Sequence, residues 1–362
     1  MQTSGLKLLH PKRAVQLNTP EVLRFRKRRP RLVGVFFTRP QQTSHCQNVL
    51  NSGLNFHQST STKLEIIPMK RPLLTAILLA FLIITPALVL GQTTEVQSDP
   101  VRAMSFNIRL GVAKDGDNHW EKRKETVVQA ITEFAPDFVG TQETYEFQAK
   151  YIGENLPQYT YVGRSRQRDG KGEQCGIFYL TKRFDKLVEG HFWLSETPDK
   201  AGSKSWDSSL PRMATWLKLW DKTNQSSFYV INTHFDHRGA IARKQSAAQI
   251  RKFVNELPKG SSVIVTGDFN AGANSAPYQA MFGDSAATGE SPLLDSYAIK
   301  HVNDDEPSGT FNGFKGTADG ARIDWIAVSR NISIESANID RIAFDGRYPS
   351  DHFPVNAVLR LK

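Results

Sequence analysis

From residue 101 onward, apolar and polar positions alternate in short blocks that repeatedly end on a polar side chain. Val101–Ile108 has the period of a half-buried strand and carries Asn107 near its end. Residues 121–134 repeat apolar positions at helical spacing, with Val127, Val128, Ile131 and Phe134 on one side and Pro136 as the stop. Residues 137–143 make a short strand closing on Glu143; 147–156 predicts a helix, and 159–162, 173–180 and 186–194 predict strands. Residues 212–219 and 227–233 predict a hairpin around 221–225, its second arm running into His234-Phe235-Asp236-His237. The clearest helix is 240–257, with Ile241, Ala248, Ile250, Phe253, Val254 and Leu257 on its apolar face. A buried strand over 262–266 leads into Gly267-Asp268-Phe269-Asn270, and a short helix follows near 277–282. After the Gly-rich loop 306–320, with Phe311 and Phe314, come a core strand over 323–328 with Asp324 at its start and a last strand over 355–361. Ser350-Asp351-His352 stands at the mouth of that last strand. Strands alternating with helices, beside adjacent hairpin strands, predict an α/β (α+β) fold on mixed sheets.

Charge changes how the 362 residues divide. The whole chain carries +10, but residues 1–68 hold eleven Lys/Arg against two Asp/Glu. Lys70 and Arg71 add two more positive charges, so residues 92–362 sit close to neutral. A nucleic-acid reading based on overall charge therefore does not extend to the globular part. Residues 69–91 have the layout of a secretory signal: two cations, the apolar run 73–84, Pro86, then small residues before Gln92. An uncleaved anchor over 73–90 fits the same residues, and both readings put residues 92–362 outside the cytoplasm. A signal starting at Met69 makes residues 1–68 a basic extension, disordered or ahead of the true start. Cys175 is the lone cysteine after residue 46, which predicts neither an internal disulfide nor a cysteine zinc site; it reads as a small core residue.

The chemistry collects at strand ends: Asn107, Glu143, Glu173, His234, Asp268, Asn270, Asp324, Asp351 and His352. Core strands ending in carboxylates and amides are costly without a compensating charge. Oxygen donors without thiolates suit a hard divalent cation, Mg²⁺ or Mn²⁺, which polarises phosphoryl oxygens and lowers the pKa of bound water. Two histidines add proton carriers or cationic clamps. This is the inventory of metal-assisted phosphate-ester hydrolysis.

Six short motifs in order, Ser105-Phe106-Asn107, Gln142-Glu143, Asn232-Thr233-His234, Gly267-Asp268-Phe269-Asn270, Ile323-Asp324 and Ser350-Asp351-His352, resemble the signature of the endonuclease/exonuclease/phosphatase superfamily. The resemblance spans about 101–361. It implies a four-layer α/β sandwich, two β-sheets packed face to face with helices on the outside and the site at one rim. It further implies Asn107, Glu143 and Asp351 at the metal and Asp268 on the attacking water, with Asn270 holding it or the phosphate. His352 resembles the catalytic histidine with Asp324 as its carboxylate partner. His234 resembles a phosphate-contacting histidine with Glu173 as acidic partner, and Arg212 resembles an arginine that contacts the scissile phosphate.

Plainer readings exist beside these. Asp324 fits a strand cap, Arg212 a surface cation and Glu173 a loop charge; Asp236-His237 fits either a pocket contact or a helix cap. The basic loop 164–172 fits a phosphate grip or a solvated charge run. Trp120, with Arg123 one turn on, fits either a residue of the pocket mouth or a packed aromatic at a helix start. For substrate, the residues around Asp268 lack the tryptophan and Tyr-Arg pair usual in inositol-phosphate 5-phosphatases. Near-neutral charge counts against duplex-DNA repair. A secreted nuclease or a nucleotide- or phosphate-scavenging esterase is the expectation, with a phosphate ester as partner and no obligate protein partner evident. A sphingomyelinase- or inositol-phosphatase-like hydrolase is the alternative. A non-catalytic binding module of the same fold would be expected to lose an acid or histidine, and none is missing.

Overall fold

Twelve strands and the helices between them are set out by the computed structural model, which describes residues 98–283, 291–302 and 305–361. The readings of residues 1–68 and 69–91 lie outside these. The strands are β1 Val101–Asn107, β2 Phe138–Thr144, β3 Tyr159–Val162, β4 Gln174–Leu180, β5 Phe184–Trp193, β6 Met213–Asp221, β7 Ser226–His234, β8 Ser262–Asp268, β9 Leu293–Asp295, β10 Asp324–Ser329, β11 Ile332–Ile339 and β12 Val355–Leu361. The helices are α1 Lys124–Phe134, α2 Glu146–Asn155, α3 Ala240–Glu256, α4 Ala276–Phe282 and α5 Ser296–Lys300. One six-stranded sheet runs β11-β12-β1-β2-β4-β3 and the other β5-β6-β7-β8-β10-β9. Each is mixed, with one parallel pair, β1 with β2 and β7 with β8, among antiparallel neighbours.

The period-2 alternation sorts each strand into two cores. Val101 and Ala103 of β1, Phe138 of β2, Phe228 and Val230 of β7, Ile264 of β8 and Ile326 of β10 meet between the sheets. The opposite faces are covered by helices: Met104, Phe106 and Val139 pack on Val127, Ile131 and Ile152 from α1 and α2. Ile231, Val263, Val265 and Trp325 pack on Ala247, Ile250, Tyr278 and Met281 from α3 and α4. The result is the four-layer sandwich, with Cys175 buried in it as expected and Tyr179 and Trp325 buried as well.

Along the inner face of each central strand, polarity climbs toward one rim. The sequence on β1 is Val101, Ala103, Ser105, Asn107; on β7 it is Phe228, Val230, Asn232, His234; on β8 it is Ile264, Thr266, Asp268. The middle tier joins the sheets. Asn232 accepts from Gln142 Nε2 at 2.7 Å and from Thr266 Oγ1 at 3.1 Å, and donates to Thr141 O and Gly176 O at 2.8 Å each. Gly140 faces this tier closely, because a Cβ there would stand 2.1 Å from Thr266 Oγ1. Such a layer fixes the spacing of the sheets directly beneath the rim.

Three elements escape the pattern. β9 and α5 are too short to show a period, and β11 is broken by a register shift between Ile334 and Ser336. The helix predicted from 121 begins at Lys124, because Trp120–Lys122 makes a 3-10 turn and Arg123 leaves helical geometry at φ −133°.

Candidate active site

The two parallel pairs present their C-terminal ends to the same rim, where open α/β sheets collect ligand-binding groups. Register then dictates neighbours: His234 lies opposite Asp268 across β7 and β8, and Asp324 lies opposite Asp268 across β8 and β10. Glu143 reaches the rim differently. Pairing of β2 with β4 shifts between Thr141 and Thr144, and Glu143 takes φ 59°, a left-handed conformation that is uncommon for non-glycine residues. The bulge turns its carboxylate toward Asn107 Nδ2, 3.3 Å away, and it accepts from Leu110 N at 2.9 Å.

His352 and Asp324 form the most tightly built pair, with Nδ1 2.9 Å from Oδ2 and both side chains buried. Thr310 Oγ1 accepts from the amides of Ile323 and Asp324, and Phe353 N donates to Thr310 O, so the Gly-rich loop clamps both partners. On its other side His352 Nε2 faces Asp268 Oδ2 at 3.8 Å. Burial works against charge on this imidazole, but Asp324, Asp268 and Asp351 outweigh it and raise its pKa above the usual value. Asp268 is itself raised, by burial and by Asp324. It also accepts from Asn107 Nδ2 at 3.0 Å and from Asn270 N at 2.9 Å.

His234 is the opposite case. Asn270 Nδ2 donates both to Phe235 O at 3.1 Å and to His234 Nε2 at 3.0 Å. Phe235 O can only accept, so the amide orientation is fixed, Nε2 is an acceptor, and the imidazole is neutral with its proton on Nδ1. Burial first, then Arg212 and Arg166, holds its pKa well below the ordinary value. One histidine is thus built as a cation and the other as a neutral ring.

The far wall is cationic. Arg212 ion-pairs with Asp236 at 3.6 Å and donates to His237 Nδ1 at 3.1 Å. Asp236 accepts from the amides of Ser209, Leu210, Arg238 and Gly239 and from Ser209 Oγ, holding two rim loops together. His237 is therefore a cleft residue; the α3 amides of Ile241 and Ala242 are capped by Asp207. One expected pairing needs correction. Glu173 lines the cleft, but its carboxylate is bound by Arg166, and His234 instead contacts Asn270 and Asp268. A guanidinium seven residues away on the same loop reaches Glu173 first.

Three residues without a strong sequence signal complete the site. Arg109, in left-handed conformation at φ 56°, bonds Asp115 twice at 3.0 Å and approaches Asp351 Oδ2 at 3.6 Å. Arg123 is buried, donating to Ile108 O, Arg109 O, Asn118 O and Pro349 O, and burial draws it down to about 10, still cationic. It ties the loop after β1 to the segment before Asp351, beneath the packed Trp120. Phe311, 50% exposed, stands edge-on to His352 at 5.2 Å and lines the mouth. Irregular loops carry all three, so periodicity cannot find them.

The cleft these residues enclose measures about 590 Å³. Glu143, Asp268 and Asp351 bring oxygen donors to one part of it, Asn107 Nδ2 donates to the first two while its Oδ1 accepts from Arg109 N at 2.9 Å, and burial, ahead of neighbouring charges, also raises Asp351. Under-compensated buried carboxylates of this kind fit a hard divalent cation. Asp268, Asp324 and His352 also have ligand-type atoms within 4.8 Å of one another. There, however, Asp324 Oδ2 is already engaged by His352 Nδ1 at 2.9 Å.

Comparison with known proteins agrees with the geometry. The family model for the endonuclease/exonuclease/phosphatase family matches residues 104–352. A family protein of Bacteroides thetaiotaomicron is similar in structure, with TM-score 0.65 and 34% identity, covering 73% of this chain and 95% of that one. The mannosyl-6-phosphatase of the same organism is similar at TM-score 0.64 and 34% identity, covering 72% of this chain and 99% of that one. Nocturnin of Drosophila melanogaster is 26% identical over 202 residues, 49% of this chain and 29% of that protein. With a sequence match across most of the sandwich, a common fold and acidic, amide and histidine side chains gathered at one rim, the chain belongs to the endonuclease/exonuclease/phosphatase family, whose members are divalent-metal-dependent phosphate-ester hydrolases.

Proposed function

We propose that the chain is an exported hydrolase of small-molecule phosphate esters, using Mg²⁺ or Mn²⁺. The carrying observation is the cleft: about 590 Å³, acidic on one side and edged by Arg166, Arg212 and His237 on the other. That volume is in the range of small-ligand pockets, roughly 300–1,000 Å³. Among the substrates open from sequence, the cleft favours a nucleotide or polyol phosphate over a polymer. The likeness to a mannosyl-6-phosphatase at 34% identity supports the same choice.

In this reading Glu143, Asn107 and Asp351 hold the cation, which polarises the phosphoryl group and acidifies water. Asp268, steadied by Asn107 and Asn270 N, orients and deprotonates the attacking water. His352, held cationic by Asp324, faces the developing phosphoryl charge and is poised to protonate the leaving oxygen. His234 with Asn270 offers neutral polar contact, and Arg212 offers a guanidinium to phosphoryl oxygens. Export rests on the signal-like layout of residues 69–91.

A substrate panel tests the reading: mannose 6-phosphate, nucleotides, inositol phosphates, single- and double-stranded DNA, RNA and sphingomyelin, each with Mg²⁺ or Mn²⁺. Small esters should turn over fastest; hydrolysis of DNA or RNA with none of the small esters would overturn it. N-terminal sequencing of protein recovered outside the cell should begin near Gln92, and material retained inside would overturn export.

A further inference from the structure

Two arginines line the cleft with more donors than the protein engages. Arg212 is 4% exposed, yet its Nε and Nη1 make no hydrogen bond. Its counter-ion Asp236 already accepts the five hydrogen bonds described above. Arg166 is 8% exposed and bonds Glu173 through Nη2, while its Nε has no hydrogen-bond partner. Those donors are closed to solvent, so both guanidiniums stand in the cleft wall short of their full set of hydrogen bonds, and an acceptor in the cleft meets them at the edges that line it.

The Arg166 backbone is fixed in advance. Its amide donates to Glu173 O at 3.0 Å, and its carbonyl accepts from Trp193 Nε1 at 2.7 Å. The adjoining Ser165 Oγ donates to Lys171 O at 2.6 Å and accepts from Gln167 N at 3.1 Å. Arg166 is therefore a preorganised donor, while Arg164, Arg168 and Lys171 of the same loop are solvent-exposed.

We infer that Arg166, acting beside Arg212, selects phosphomonoesters over phosphodiesters by binding the extra terminal oxygen and charge of a monoester phosphate. The inference rests on the phosphoesterase reading above and narrows its substrate class. A terminal phosphate carries about −1.5 to −2 at neutral pH and three acceptor oxygens, whereas a diester carries a single charge and two. Guanidinium forks suit such planar arrays of acceptors better than an ammonium does.

The test compares p-nitrophenyl phosphate with bis-p-nitrophenyl phosphate on the full chain. The wild type should favour the monoester in kcat/KM. Arg166→Gln should lower the monoester-to-diester ratio by about tenfold or more, the worth of one charge-assisted hydrogen bond. Arg166→Lys should keep more of the preference than Arg166→Gln. A purely structural role would lower both esters equally and leave the ratio unchanged, which overturns the inference; so does a wild-type preference for the diester. Should Arg166→Gln fail to fold, inhibition of the wild type decides. Inorganic phosphate should inhibit at least about tenfold more strongly than dimethyl phosphate, and equal inhibition overturns the inference. If the wild type hydrolyses neither ester with Mg²⁺ or Mn²⁺, the phosphoesterase reading itself falls, an outcome distinct from an unchanged ratio.

Discussion

Asp324 Oδ2 lies 2.9 Å from His352 Nδ1 while Asp324 is also the register partner of Asp268 on the neighbouring strand. One carboxylate thus sets the charge of the imidazole and stands beside the acid assigned to the water. Asp324→Asn keeps the shape and one acceptor but removes the charge that favours imidazolium. Turnover should fall by about 10²–10⁴, the usual worth of a positioned proton-transfer group, with the fold retained. Steady-state kinetics with circular dichroism checks this, and near-wild-type kcat would remove Asp324 from the chemistry.

The two site histidines should shape stability with opposite signs. An unfolded histidine titrates near 6.5. His234 is held below that value, so its contribution is present above pH 6.5 and is lost as pH falls and the unfolded chain takes up a proton. His352 is held above it, so its contribution is present below pH 6.5 and is lost as pH rises through its raised pKa. Thermal unfolding in EDTA should show His234→Gln losing less stability than wild type on acidification. Asp324→Asn should lose less on alkalinisation. Parallel profiles for all three proteins would contradict the assignment.

How far the sequence could carry this site follows from backbone geometry. Asn107, His234, Asp268 and Asp324 were legible because each continues a period-2 inner face out to the rim, where only polarity changes. Glu143 was legible as a strand end, but not the bulge that aims it. The Arg166–Glu173 pair and the Arg109 approach to Asp351 depend on irregular loops, where spacing implies no distance. Arg123 falls inside the helix predicted from 121, yet it is buried, because the helix begins only at Lys124 and frees its side chain to collect carbonyls. β11 was hidden by its own bulge.

The polar tier beneath the rim should matter as much as the rim. Asn232→Ala strands Thr141 O and Gly176 O and removes the acceptor for Gln142 Nε2 and Thr266 Oγ1. Leaving buried groups unpaired costs about 1–3 kcal/mol each before relaxation, so a loss of roughly 2–4 kcal/mol is expected in urea unfolding. Gly140→Ala should be similarly harmful, since its methyl group meets Thr266 and Asn232. A loss below about 0.5 kcal/mol, typical of surface changes, would show that the tier does not hold the sheets.

The central claim is that the carboxylates at this rim hold a divalent cation for phosphate-ester hydrolysis. Its most direct test is metal removal and return, read both by turnover of p-nitrophenyl phosphate and by calorimetric binding. Wild-type protein stripped with EDTA should lose activity and regain it with Mg²⁺ or Mn²⁺. Glu143→Gln should bind the cation at least about tenfold more weakly, since even residues supporting a metal ligand contribute 10–100-fold. Undiminished hydrolysis in excess EDTA, with no heat of metal binding, would contradict the account.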